Sequence, residues 1–283
     1  HALELLLIRN YSPKRSFFIA LGHDEEVSGE KGAQKISALL QARGVQLAFL
    51  VDEGSFILEG FIPNLEKPVA MISVTEKGAL DLMLQVNMTP GHSSAPPKET
   101  SIGILSAAVS RLEQTPMPNM FGGGPLKKTM KLLANEFSFP INIVLRNLWL
   151  FHPIVSRIME RNPITNALVR TTTALTMFNA GIKVNVIPPL AQATINCRIH
   201  PSQTVHEVLE LVKNTVADDR VQLHVLRSFE PLPISPSDDQ AMGYQLLQET
   251  IRSVFPEVDI VVPGICIANT DTRHYANITN GMY

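Results

Sequence analysis

Phe17-Phe18-Ile19-Ala20-Leu21-Gly22-His23-Asp24-Glu25-Glu26 is a short apolar run that ends in glycine and then in carboxylates. An uninterrupted run of this length suits a strand buried on both faces of a parallel sheet. Downstream, Ala33, Ile36, Leu39 and Leu40 recur at helical spacing, and Gly44 is placed to close that helix. Residues 45–51 read as a second buried strand, ended by Asp52-Glu53-Gly54. The three pieces form a βαβ unit. Open α/β sheets bind ligands beyond the carboxyl ends of their strands, so Glu25, Glu26 and Asp52 are expected to meet in space.

From about Glu76 the pattern changes to alternation, with Leu80, Leu82, Leu84, Val86 and Met88 on one face. A helix over 101–112 follows, then strands over 171–178 and 191–199. Next come a helix opened by the capping box Thr204-x-x-Glu207 and a strand over 221–226. The order β-α-β-β-α-β predicts a ferredoxin-like arrangement, interrupted by a long apolar insert from about 115 to 170. Beyond Pro231-x-Pro233, a helix (Ala241, Tyr244, Leu247, Ile251, Val254) and a strand at Ile260-Val261-Val262 restore the first pattern. The expected fold is therefore α/β, a mostly parallel sheet with helices over 1–75 and 231–283, with a ferredoxin-like α+β domain inserted over 76–230. Residues 1–10 read as the last turns of a buried helix without an N-cap, and 279–283 stop just past a Gly turn, so both ends read as cut.

The chain has 283 residues, 45% hydrophobic and 18% charged, which excludes a disordered or collagen-like polymer. Twenty-four basic against 26 acidic residues leave a net charge of -2 without like-charged blocks, which gives nucleic acid no footprint. No apolar run reaches the length of a membrane span. Cys197 and Cys266 form neither a disulfide framework nor a zinc-spaced pair. Sequons at Asn10, Asn87 and Asn277 are a weak pointer to secretion.

Adjacent carboxylates at a strand end repel one another unless a cation or a hydrogen-bond network compensates. A metal shared by Glu25, Glu26 and Asp52 competes here with a solvated acidic loop. His92, in Gly91-His92-Ser93-Ser94, is either a loop histidine or an imidazole presented by a turn. Arg198 ends an apolar strand, where a guanidinium needs an anionic partner: a substrate carboxylate or an internal Asp or Glu. Asn185 stands nearby, in Asn-Val-Ile-Pro. Thr270, Asp271 and Arg273 follow the late strand, on the carboxyl side of the sheet.

Taken in order, Gly22-His23-Asp24-Glu25-Glu26, Asp52-Glu53-Gly54, Gly91-His92-Ser93-Ser94-Ala95-Pro96, Asn185-Val186-Ile187-Pro188, Arg198 and Asn269-Thr270-Asp271-x-Arg273 resemble the di-zinc metallopeptidase family of aminoacylase, carnosine dipeptidase and glutamate carboxypeptidase. Gly91 to Thr100 and the segment around Phe151-His152-Pro153 are most similar to its secreted branch acting on N-fatty-acyl amino acids. The resemblance implies two Zn2+ ions per complete site, with Glu25 as general base and acid and with Glu26 and Asp52 as ligands of one zinc each. It implies that His92 stabilises the oxyanion across a homodimer interface, and that Asn185 and Arg198 grip the substrate carboxylate, Thr270, Asp271 and Arg273 being further substrate-binding residues. The family's upstream His-x-Asp, bridging Asp and late His have no match in this sequence. The implied activity is cleavage, or formation by reversal, of the amide between an apolar acyl group and an amino acid. Phe121, Leu126, Leu132, Phe137, Phe139, Trp149 and Phe151 of the insert are candidates for an acyl pocket or for core. A dipeptidase, a short-chain aminoacylase and an inactive chain that only dimerises are the alternatives.

Overall fold

The computed structural model describes residues 1–60, 62 and 64–283. Its strands are β1 (Ile57–Leu58), β2 (Val69–Glu76), β3 (Gly78–Asn87), β4 (Gly91–His92), β5 (Thr172–Ala180), β6 (Val186–Ile187), β7 (Leu190–Ile199), β8 (Gln222–Phe229) and β9 (Ile260–Cys266). The principal helices are α1 (Ala2–Ile8), α2 (Ala33–Ala42), α3 (Ser101–Gln114), α4 (Leu126–Leu133), α5 (Ile141–Arg146), α6 (Leu148–Met159), α7 (Pro163–Val169), α8 (Val205–Val216) and α9 (Met242–Val254).

The alternation that begins at Leu80 builds an antiparallel sheet of order β5-β7-β3-β8. Leu80, Leu82 and Leu84 face the same side as their register partners Cys197, Ile195 and Ala193, and all are sealed from water. Helices α3 and α8 cover that side with Ile104, Leu105, Ala108, Val208 and Val212. Both helices start where their sequences prescribe. The Thr100 side chain accepts the Gly103 N–H at 3.1 Å, and Thr204 and Glu207 close a reciprocal capping box. This is the ferredoxin-like arrangement read from the sequence.

The other sheet departs from expectation. Its parallel pair is β2 with β9, in register from Val69 opposite Ile260 to Ser73 opposite Gly264, with β1 antiparallel on the outer edge. Residues 17–21 form no strand, and Phe17, Ile19 and Leu21 are exposed. A strand buried on both faces needs a paired edge, and no described strand pairs with this one. Residues 45–51 form a looser parallel ladder instead of a regular strand: Leu47 N–H donates to Ile278 O at 2.9 Å, Leu50 N–H to Gly281 O at 2.8 Å, and Asp52 N–H to Tyr283 O at 3.0 Å. The expected burial of residues 1–10 also fails, since α1 carries no buried residue.

The apolar insert folds on itself and docks on β9. Phe121 and Leu126 pack with Leu145, Leu148, Val155, Met159 and Ile265, and Phe137 and Phe151 pack against them, while Leu132, Phe139 and Trp149 face solvent. These aromatic residues therefore form a local core and an outer face.

Candidate active site

Glu25 and Glu26 occupy a single 3-10 turn, Glu25–Val27, held by Val27 and Gly29 N–H groups on the Asp24 carbonyl at 3.1 and 2.8 Å. Lys31 N–H donates to Asp24 Oδ2 at 2.7 Å and holds that carboxyl below its ordinary value. Gly29 has φ +64, and the Asp271 carboxylate fills the space where a Cβ would stand, so only glycine fits. The ladder from 47 to 52 brings Asp52 to the same place. Glu25, Glu26, Asp52, Glu53, Asn269 and Thr270 line one open crevice of about 570 Å³, whose apolar wall includes Val51, Phe56, Met71 and Leu247.

The electrostatics follow from this crowding. Burial raises the Glu25 carboxyl above its ordinary value, and the charges of Glu53, Asp271 and Glu26 add to the effect, with Arg273 opposing. Burial likewise raises Asp271, helped by Asp52 and Asp24 and opposed by His274 and Arg273. The Oδ1 atoms of Asp24 and Asp271 are buried without a hydrogen-bond partner. His274 Nε2 lies 2.8 Å from the Ser28 carbonyl, and the Arg273 guanidinium sits 5.3 Å over the Phe229 ring.

Of the other sequence-predicted residues, Thr270 lines the crevice, whereas His92, Asn185 and Arg198 are not among its lining. His92 is exposed, with Nδ1 2.7 Å from Ser94 Oγ. The β4–β6 pairing sets it opposite Val186, and Ser93 N–H donates to the Asn185 carbonyl at 3.1 Å, so His92 and Asn185 are neighbours outside the crevice lining. Arg198 Nη1 donates to Asn269 Oδ1 rather than to a carboxylate. Thr270 is committed internally: its N–H and hydroxyl donate to Glu76 at 2.9 and 2.5 Å, and the Thr272 hydroxyl joins them at 2.8 Å.

Sequence reasoning missed Glu76, Lys77, His200 and Asn269 as structural centres of this region. Glu76 and Lys77 are both sealed from water, at 5% and 1% exposure, between the two sheets. Lys77 Nζ donates to Arg170 O at 2.8 Å, and burial together with the Arg198 charge pushes its amine down to about 7. Burial and the Lys77 charge push the His200 imidazole down to about 4. The signal was present: two adjacent charges interrupt a stretch from Val69 to Val86 that is otherwise mostly apolar.

Among the described residues, no three His, Cys, Asp or Glu side chains close on a point that could hold a metal ion. A hydrolytic zinc site takes three protein ligands and an open position. Glu26 and Asp52 are available carboxylates, but the residues present do not fit the complete two-zinc centre implied by the resemblance.

Residues 74–223 match the model of the peptidase dimerisation domain of M20 peptidases, and the chain belongs to that family. It is 78% identical to the N-fatty-acyl-amino acid synthase/hydrolase PM20D1 of Bos taurus and 70% identical to that of Homo sapiens. Each match covers all of this chain and 56% of the relative, so the chain spans little more than half the length of these proteins. Among solved structures it is similar to an M20 family metallo-carboxypeptidase from Sulfolobus solfataricus, with TM-score 0.58 and 16% identity over 99% of this chain and 64% of that one. Human carnosine dipeptidase 1 gives TM-score 0.55 and 12% identity over 90% and 55%. These likenesses show the fold: an α/β peptidase scaffold with a dimerisation domain. No helix among the described residues is long and apolar enough to cross a membrane.

Proposed function

We propose that the active protein carrying this chain is a metal-dependent amidohydrolase that cleaves, and by reversal forms, the amide between a fatty acyl group and an amino acid. The observation that carries this reading is the convergence of Glu25, Glu26 and Asp52 on one crevice. A carboxylate whose affinity for protons is raised by burial and like charge is suited to take a proton from water and return it to a leaving amine. The acyl carbon gains the water oxygen, the C–N bond breaks, and the amine leaves with the proton that Glu25 carried. Glu26 and Asp52 are the carboxylates this chain offers to zinc. Because its own donors do not complete a centre, the steps assigned here rest on the side chains alone.

Relatives at 60–78% identity that are named for N-fatty-acyl amino acids favour the fatty-acyl substrate over a dipeptide or a short acyl group. The apolar crevice wall of Val51, Phe56, Met71 and Leu247 is where the acyl chain would begin. Arg198 and Asn185 would hold the amino-acid carboxylate with Arg273 as a further cation, while Thr270, bonded to Glu76, and Asp271 would contact the substrate away from that carboxylate. His92 would act across a homodimer interface made by the dimerisation domain. The division into 1–75, 76–230 and 231–283, and secretion of the protein, belong to the same reading. The test is a comparison of kcat/KM for a long-chain N-acyl amino acid, its acetyl counterpart and a dipeptide. Preference for the long acyl chain is expected, and preference for the dipeptide overturns the reading.

A further inference from the structure

Arg198 and Asn269 meet from different sheets. Arg198 lies on β7, opposite Ala79 and Thr172, whereas Asn269 follows β9 and lines the acidic crevice. The Asn269 amide faces two ways: its Oδ1 accepts from Arg198 Nη1, and its Nδ2 donates to the Lys77 carbonyl. Lys77 is itself fixed on three sides. Its N–H donates to Cys266 O at 3.1 Å and its Nζ to Arg170 O at 2.8 Å, which ties the start of the four-stranded sheet to β9 and to the insert. Asn269 is thus clamped to a buried backbone and presents a fixed acceptor to the guanidinium.

The chemistry of the pair gives it a purpose. No carboxylate among the described residues forms a salt bridge with Arg198, so no ion pair among them neutralises its charge. A neutral amide orients the guanidinium without cancelling that charge, as an Asp at the same position would. Asn269 takes one of the five N–H donors and leaves the Nε and Nη2 edge, whose fork matches a carboxylate. Lys77 and His200 form no salt bridge among the described residues, and His200, pushed down to about 4 by burial and the Lys77 charge, is neutral near pH 7, so neither brings a carboxylate that would compete for the guanidinium.

We propose that Asn269 is a positioning residue: it fixes the Arg198 guanidinium beside the acidic crevice so that the free carboxylate of the amino-acid product or substrate is read there. This rests on the amidohydrolase reading above and adds the residue that sets carboxylate selectivity. The experiment measures hydrolysis of an N-acyl amino acid and of its C-terminal amide by the active protein and by Asn269→Ala, Asn269→Asp, Arg198→Ala and the Asn269→Ala/Arg198→Ala double variant. Asn269→Ala is expected to raise KM for the acid about tenfold, the scale of one hydrogen bond to a charged group. Its kcat should stay within about twofold of the parent, and KM for the amide should not move. Asn269→Asp should lose the acid preference further, because its carboxylate occupies the guanidinium. In the Arg198→Ala background, Asn269→Ala should change nothing more. Equal rises in KM for acid and amide, or a loss confined to kcat, overturn the assignment. Should Asn269→Ala fail to fold, the near-isosteric Asn269→Asp decides, and a retained acid preference in it overturns the assignment as well. A parent protein that hydrolyses neither compound sinks the functional reading and this one together, a result distinct from an active parent whose acid preference survives in the Asn269 variants.

Discussion

Along β3 the inward side chains of Leu80, Leu82, Leu84 and Val86 are each at 0% exposure, under two capped helices. At the crevice, by contrast, burial and neighbouring carboxylates raise the proton affinity of both Glu25 and Asp271, and two carboxylate oxygens are buried without a partner. The four-stranded unit puts every local preference to the same use: alternation, caps and cross-strand pairs all favour one packing. The crevice region keeps groups together that elementary electrostatics would separate. Such conflict is tolerated where the rest of the fold over-determines the position, and it marks sites of chemistry.

The largest expected effect tests whether that conflict is functional. In the active protein, Glu25→Gln keeps the shape and removes the base, so kcat should fall by about 10²–10⁴-fold. Glu26→Gln should instead lower the bound metal measured by elemental analysis. Unchanged turnover in the first variant would reduce the crevice to a solvated acidic loop and erase the contrast with the four-stranded unit.

The second test compares the apolar groups of the two regions. Leu105 is fully buried between α3 and the sheet, whereas Leu21 is 83% exposed. Leu105→Ala should cost about 2–5 kcal/mol in denaturant unfolding of this chain. Leu21→Ala should change stability by less than about 0.5 kcal/mol. Similar costs at the two positions would mean that residues 17–21 are packed after all.

Legibility in the sequence divides along the same line. The four-stranded unit was readable because each strand and helix carries its own periodicity and each helix its own cap, so its topology follows from neighbours in the chain. The parallel pair was half missed: Val69 to Val74 runs almost directly into β3, and one continuous apolar stretch hides a passage from one sheet to another at Glu76-Lys77-Gly78. The run 17–21 misled for the opposite reason, since apolar composition announces a strand without supplying its partner. At the site, Glu25, Glu26 and Asp52 line one crevice as expected, but not for the reason read from the sequence, since residues 17–21 form no strand and 45–51 only a loose ladder. The partner of Arg198 was not readable, because the sequence left open a substrate carboxylate or an internal acid, and the structure supplies the Asn269 amide, from a loop seventy-one positions away.

Lys77 stands at the boundary between the two regions and gives the third test. Its folded-state value of about 7 lies below the 10.5 of the free amine. Between those values the unfolded chain binds the proton and the folded chain does not, so stability rises with pH across that window. Below about pH 7 both states are protonated, and the cost of burying the charge is fully present. Lys77→Met, of similar length and uncharged, should flatten the rise in unfolding free energy between about pH 7 and 10.5. An unaltered slope would show that the buried amine does not set it.

The smallest effect expected belongs wholly to the four-stranded unit. Thr204 accepts the Glu207 N–H at 3.2 Å, and Glu207 Oε2 accepts the Thr204 N–H at 2.8 Å, so two donors that α8 would leave orphaned are satisfied reciprocally. Glu207 also places a negative charge in the first turn, where the helix dipole favours it. Thr204→Ala removes one side of the box and should cost about 1 kcal/mol, whereas Thr204→Ser keeps the acceptor and should cost a few tenths. Because α8 packs Val208, Val212 and Val216 into the core under β3, the loss should appear as a lower unfolding midpoint with an unchanged denaturant slope. The crevice lining, which includes neither Thr204 nor Glu207, should keep its chemistry, so kcat of the active protein should be unaltered. A fall in kcat on Thr204→Ala would show that the two regions are coupled through α8, and that the contrast drawn between a self-sufficient unit and a strained site is too sharp.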